Sequence, residues 1–299
     1  MKRLILKMFL LSAIIAGLTA GLLVRTVMRK QKSADGVYKL GATHRYLFIG
    51  SSEIGCGIEE STSWSNRVIW VSDALTETFL MRLKEFERRG QLGGGVKTVV
   101  VPFNFVTFTR QKADSIKWSW YKELPVSVRY LDMLPCSKLE FARYIACNLR
   151  YPLPMLLQSG FPKGRTSIAR LPERRREKNL SMFENEGRSI VLGKDSLPNW
   201  EGRIFGAYRE MKEICTRNGT GFAILRMPVL PQYRNATGDD VRELEDEFVK
   251  RFRNDGMEVL EVKVDLTAAD FFDNVHLVES GRAVLTERVI ARLAELNRR

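Results

Sequence analysis

Between residues 44 and 299, short apolar runs alternate with stretches in which apolar residues recur every three or four positions. The runs Tyr46–Ile49, Val68–Val71, Val96–Val101, Phe222–Leu225 and Val259–Val264 are rich in β-branched and aromatic residues. Such runs predict strands buried on both faces, as the strands of a parallel sheet are. The intervening stretches predict amphipathic helices. Leu75–Arg89 places Phe79, Leu80, Leu83 and Phe86 on one face, and Ile204–Arg217 does so with Ile204, Tyr208, Met211 and Ile214. Asp239–Asn254 aligns Val241, Leu244, Phe248 and Phe252, and Arg282–Leu296 aligns Val284, Leu285, Val289, Leu293 and Leu296. Strand and helix in alternation predict an α/β fold, a three-layer α/β/α sandwich around a parallel five-stranded sheet. Residues 110–200 break the rhythm. They are rich in Trp, Tyr, Pro and Arg, carry only short helical patterns, and read as a helical insertion on one edge of the sheet.

The N-terminus follows a different pattern. Met8 to Val24 is a run of 17 residues without a charge, with Lys7 able to snorkel beside it. That length is at the short end of a bilayer span. We therefore expect residues 1–32 to form an N-terminal membrane anchor, a transmembrane helix, followed by a polar linker over 33–43 and the α/β domain over 44–299. A cleaved signal peptide is the alternative. Its basic start fits, but the apolar part is long for a signal core and no clear small-residue cleavage site follows. Lys and Arg flank both ends of the run, so the positive-inside rule does not select an orientation.

Composition changes this picture in two places. The net charge of +13 is concentrated in the anchor's flanks and in residues 110–190, which hold 16 Lys and Arg against 8 Asp and Glu. This central surplus suits either a solvated helical face or attraction to an anionic polymer or lipid surface. Nucleic acid is not indicated, because Arg174, Arg175 and Arg176 have no interleaved aromatics and no recognition motif stands nearby. Four cysteines without a C-x-x-C, and only two histidines, make a zinc site unexpected; the thiols read as free and partly buried. Nothing in the sequence calls for a cofactor.

Ligands of parallel α/β sheets bind at the carboxyl ends of the strands. After the first run stand Gly50, Ser51 and Ser52; after the second, Ser72 and Asp73; after the third, Pro102, Phe103 and Asn104. Before the last helix stands Asp-Asn-Val-His, with Asp273 and His276 one helical turn apart. These residue types suffice for acyl transfer. A serine needs a base at neutral pH, the imidazole needs a carboxylate to fix its tautomer, and the oxyanion needs preorganised donors. We read a serine of the Ser51-Ser52 pair, His276 and Asp273 as candidate nucleophile, base and orienting carboxylate. Gly50, Asp73 and Asn104 are the candidate oxyanion or substrate contacts. His44 precedes the first strand, at the other end of the sheet, and reads as a surface residue. An α/β-hydrolase elbow is excluded, since its G-x-S-x-G would need glycine where Ile54 stands.

The blocks "IGSSEI" and "FFDNVHLVESG" resemble those of the SGNH (GDSL-type) hydrolase and acyltransferase superfamily, whose first block is Gly-Asp-Ser and whose last is D-x-x-H before the C-terminal helix. The Gly-Ser-Ser-Glu form behind an anchor is similar to the branch containing the teichoic acid D-alanylation protein DltD and the alginate O-acetylation proteins. The resemblance covers about residues 44–109 and 200–297. It implies an SGNH or flavodoxin-like sandwich, Ser52 rather than Ser51 as nucleophile, and an extracytoplasmic serine esterase or O-acyltransferase acting on a cell-envelope polysaccharide or related polymer. It also implies a membrane-bound O-acyltransferase as partner. The sequence departs from the family where "WVSDAL" lacks the oxyanion glycine and "PFNF" keeps only Asn104 of Gly-x-Asn-Asp. These departures leave room for a non-catalytic binding or scaffold protein of envelope-polymer assembly that keeps the fold.

Overall fold

The computed structural model describes residues 35–71, 74–103, 120, 124–133, 136–148, 200–236 and 238–298. The expected anchor and most of the insertion lie outside them. Among the described residues no helix is long and apolar enough to cross a membrane.

Five strands form one parallel sheet: β1 (Tyr46–Gly50), β2 (Asn66–Trp70), β3 (Thr98–Phe103), β4 (Gly221–Arg226) and β5 (Glu258–Leu260), in the order β2-β1-β3-β4-β5. The order reverses at β1, so helices follow the sheet on both faces by right-handed crossovers. Next to β1 runs the short helix α1 (Ser52–Gly57), packed beside the C-terminal helix α8 (Glu279–Leu296). On the other face lie α2 (Thr76–Arg88), α5 (Trp200–Arg217) and α7 (Asp239–Asn254). Shorter helices are α3 (Leu124–Ser127), α4 (Lys138–Asn148) and α6 (Pro231–Ala236). The first two fall in the segment read as a helical insertion.

The core bears out the periodicity, except at Val284, which is 42% exposed because the last helix turns Leu285, Val289 and Leu293 inward instead. Leu47, Phe48 and Ile49 of β1 and Val99, Val100 and Val101 of β3 are fully buried. Phe205 and Tyr208 of α5 meet Phe248 and Phe252 of α7 at ring-centroid distances of 4.7 to 4.9 Å, which welds these two helices together over β3.

The boundaries differ in three informative places. The third strand runs two residues further than its valines suggest, through Pro102 and Phe103. Pairing with β1 stops at Val100, so Pro102 has a paired neighbour, Leu225, on one side only, which is where a strand tolerates proline. The fifth strand is three residues rather than six, because pairing with β4 ends at Leu260. Beyond it Glu261 is drawn out to Arg226 and Arg253, and alternate residues become exposed. Finally, part of the expected linker is seated on the domain. Tyr38 is 1% exposed, packs against Phe86 with centroids 4.9 Å apart and the rings tilted by 59°, and lies under the Arg89 guanidinium.

Candidate active site

The first side of the site is built by glycines. A Cβ on Gly50 would overlap Ile54 and lie 2.9 Å from Pro102, so only glycine lets the end of β1 run this close to its neighbours. A Cβ on Gly55 would overlap the Trp70 ring, so the same economy seats α1 directly on β2. Ser51, extended at φ −89° and ψ −164°, turns the chain from strand to helix, and Ser52 becomes the first helical residue. Its N–H precedes any intrahelical acceptor. No helix was expected over 52–57. The glycines at 50, 55 and 57 were the visible sign of close packing there.

A tight loop builds the second side. Thr267 and Asp270 form a reciprocal capping box. Phe271 and Leu277, both buried, pair as an antiparallel bridge, closed by Phe272 N–H to His276 O at 2.8 Å and Val278 N–H to Asp270 O at 2.9 Å. Ser280 Oγ donates to Asp270 Oδ1 at 2.8 Å, and Leu230 N–H to Asn274 O at the same distance. The loop is thus held at its base, at its crown and from the strand β4 side. Within it, Asp273 Oδ1 accepts from the N–H groups of Val275 (3.0 Å) and His276 (2.9 Å). The carboxylate is fixed before it meets the imidazole.

These two sides bring together three of the residues singled out from the sequence. His276 Nδ1 lies 2.6 Å from Asp273 Oδ2, and His276 Nε2 lies 2.8 Å from Ser52 Oγ. Burial alone would raise the Asp273 pKa, but the His276 contact and the two backbone donors outweigh it and hold the carboxyl below its usual range. An ionised carboxylate only accepts, so Nδ1 carries the proton and the Nε2 lone pair faces the serine hydroxyl. That is the tautomer a general base requires. Both side chains remain about one-fifth exposed, 23% for His276 and 22% for Asp273, so the arrangement opens to solvent.

The remaining expected site residues fare differently. Gly50 lies in β1, its carbonyl accepting from Val71 N–H at 3.1 Å, and its surroundings give it a steric role. Asp73 and Asn104 lie outside the described residues. His44 sits at the opposite end of β1, where Gly41 N–H donates to its Nδ1 at 2.8 Å. Cys56, Cys136 and Cys215 are free thiols. Cys56, one turn below Ser52, is pushed up to about 12, mainly by burial and then by the Asp273 charge, so it stays protonated and is no rival nucleophile. Sequence reading passed over Arg282, whose partly buried side chain flanks α1 from α8; its polar character at an inward helical position was the available signal.

No protein-family model matches the sequence, and no curated protein matches it. Among solved structures, the chain is similar to a GDSL-like lipase from Bacteroides thetaiotaomicron, at 9% identity and a TM-score of 0.46 over 90% of this chain and 99% of that one. It is also similar to a candidate acylhydrolase from Bacteroides fragilis, at 11% identity and a TM-score of 0.44 over 89% of this chain and 94% of that one. Likeness at this level carries no functional weight. The reading below stands on the site.

Proposed function

We propose that the protein is a serine esterase or O-acyltransferase with Ser52 as nucleophile, His276 as general base and acid, and Asp273 as the carboxylate that orients it. The observation that carries this reading is the chain of two hydrogen bonds, 2.8 Å from Ser52 Oγ to His276 Nε2 and 2.6 Å from His276 Nδ1 to Asp273 Oδ2. Ser52 is separated from His276 by 224 residues, and both distances fall where a serine and its base must stand.

In the proposed reaction Ser52 Oγ attacks an ester carbonyl while its proton passes to His276 Nε2. The Asp273 carboxylate stabilises the imidazolium that forms. Collapse of the tetrahedral intermediate expels the alcohol, which takes that proton, and leaves an ester on Ser52. An incoming hydroxyl then gives its proton to Nε2 as it attacks the acyl carbon, and the Oγ–acyl bond breaks as Nε2 returns that proton to Ser52 Oγ. Water as the acceptor makes an esterase, and a sugar hydroxyl makes an acyltransferase.

The setting we propose is the outer side of a cell membrane, with residues 1–32 as anchor and an acylated cell-envelope polysaccharide or related polymer as substrate. A membrane-bound O-acyltransferase would be the natural source of exported acyl groups. The charge-free run from Met8 to Val24, the basic central segment and the resemblance of the two sequence blocks support this setting. The test of the chemistry is a fluorophosphonate probe applied to the full-length chain in mild detergent. The expected result is one covalent adduct, mapped by mass spectrometry to the peptide holding Ser52. A folded protein that takes up no label would instead support the non-catalytic scaffold.

A further inference from the structure

Arg282 stands out among the described arginines. The others that are even partly buried each have a partner: Arg67 with Glu60, Arg89 with Glu85 and Asp35, Arg203 with Glu77, Arg226 with Glu245, Asp246 and Glu261, and the fully buried Arg82 is partnered as well. Arg242 and Arg292 are likewise paired with Asp239 and Glu295. Among the described residues Arg282 has no ion pair, and its Nε, like that of Arg67, is buried with no hydrogen-bond partner. A buried Nε–H without an acceptor is unfavourable by itself, since that group has given up water and received no hydrogen bond in return.

Its position follows from the packing of α1 on α8. Thr286 Oγ1 accepts from Glu59 N–H at 2.9 Å, just past the end of α1, and Leu285 Cδ2 would stand 3.5 Å from a Cβ on Gly57. The two helices therefore run in the same direction, with their N-termini at the Ser52 and His276 end. Arg282 is four residues before Thr286, on the same face and about 6 Å nearer that end. Side chains on a helix lean toward its N-terminus, which carries the guanidinium toward the level of Ser52. The Cys56 thiol, one turn below Ser52, feels the positive charge of Arg282.

We propose that Arg282 is a specificity-determining residue that binds an oxyanion group, a carboxylate or a phosphate, carried by the substrate beside its scissile ester. This rests on the acyl-transfer reading of Ser52. It explains why the guanidinium is left without a protein acceptor: the substrate supplies one, by a charge-assisted and bidentate hydrogen bond.

The experiment compares full-length wild type, R282Q and R282K on three acetate esters matched in leaving group. One is neutral, one carries a carboxylate and one a phosphate near the ester. For wild type, kcat/KM should favour at least one charged ester. In R282Q the charged-to-neutral ratio should fall at least about tenfold, through KM rather than kcat, as expected for loss of a charged hydrogen bond. R282K should recover part of it. The charged ester that loses its advantage identifies the anion. An unchanged ratio in R282Q overturns the proposal, as does an equal loss on all three esters through kcat. Should R282Q fail to fold by circular dichroism, wild type decides alone. Inorganic phosphate or acetate, at fixed ionic strength, should inhibit neutral-ester turnover competitively, and no inhibition by either overturns the proposal. A wild type that turns over none of the three esters refutes the acyl chemistry itself, whereas turnover without charge preference refutes only the role of Arg282.

Discussion

Two carboxylates organise this molecule in opposite ways. Glu85, on α2, is completely buried and saturated with donors. Its Oε1 accepts from Arg88, Arg89 and Arg129 at 2.7 to 2.9 Å, and its Oε2 from Arg88 and Tyr130. Burial would raise its pKa, but the arginine contacts override that and bring it down to about 2. Asp273 is one-fifth exposed, takes two backbone N–H groups, and spends its remaining oxygen on a single imidazole. The donors on Glu85 tie it to structure alone: Arg88, Arg129 and Tyr130, and Arg89, which also reaches Asp35. The donor on Asp273 leads onward to Ser52. A carboxylate that closes a network holds the fold, pinning residues 128–133 to α2. A carboxylate with one relayed partner in an accessible loop has the arrangement that the proposed chemistry requires. Charge and burial alone rank Glu85 as the more perturbed group, whereas the connection to a nearby hydroxyl singles out Asp273.

Replacing Ser52 gives the largest expected effect. Ser52→Ala should abolish fluorophosphonate labelling and reduce ester turnover by about 10⁴-fold or more, with the thermal melting temperature unchanged within a degree or two. Labelling that survives intact in Ser52→Ala would remove the nucleophile from the site and break the contrast with Glu85.

Asp273→Asn tests the relay itself. The amide keeps the size but can offer a donor where Nδ1–H requires an acceptor, so the imidazole turns or changes tautomer. Turnover should fall by about 10³- to 10⁴-fold. Its stability should depend on pH less than that of wild type. The Asp273 carboxyl is held below its usual range, so its contribution is present above the unfolded-state value and is lost as pH falls through the folded one. A rate within threefold of wild type would reduce Asp273 to a structural role like that of Glu85.

Glu85→Gln is the mirror experiment. It leaves three guanidinium groups facing a neutral amide, so folding should weaken by about 2–3 kcal/mol at pH 7 while labelling of the folded protein stays as in wild type. Because Glu85 titrates near 4.5 unfolded and about 2 folded, the unfolded state takes up the proton first on acidification. Wild type therefore loses this stabilisation as pH falls from about 5 to about 2, and the difference between the two proteins should shrink over that window. Chemical denaturation at pH 7 and pH 3 measures it. A difference independent of pH would mean that packing, and not charge, makes Glu85 important.

Much of this was legible in the sequence, unevenly. The strand runs and helix faces were plain because buried parallel strands and amphipathic helices write their period directly into the residue order. Ser52, Asp273 and His276 could be paired across the chain because each follows or precedes an element whose end the pattern located. What stayed hidden depended on side chains meeting across the fold. The early stop of β5 is decided by Arg226 reaching Glu261 from a neighbouring strand. The burial of Tyr38 in a supposed linker depends on Phe86. The saturation of Glu85 requires Arg129, 44 residues away. What Arg282 faces could not be read from its helical position alone; the contact of Thr286 with Glu59 fixes how its helix lies on α1.

The smallest expected effect bears on the point most open in the sequence, which of two adjacent serines is used. Ser51 is 7% exposed and stands at the cap position of α1, yet its side chain makes no capping hydrogen bond. It holds its place by backbone shape, and its carbonyl accepts from Gly55 N–H at 3.2 Å whatever the side chain. Ser51→Ala removes only an oxygen with no capping role and leaves the extended conformation accessible. Stability should change by less than about 0.5 kcal/mol, below the usual worth of a helix cap. Fluorophosphonate labelling should proceed within twofold of the wild-type rate. A loss of labelling in Ser51→Ala as deep as in Ser52→Ala would mean that the first hydroxyl takes part in the chemistry, and the 2.8 Å contact from Ser52 to His276 would no longer suffice to name the nucleophile.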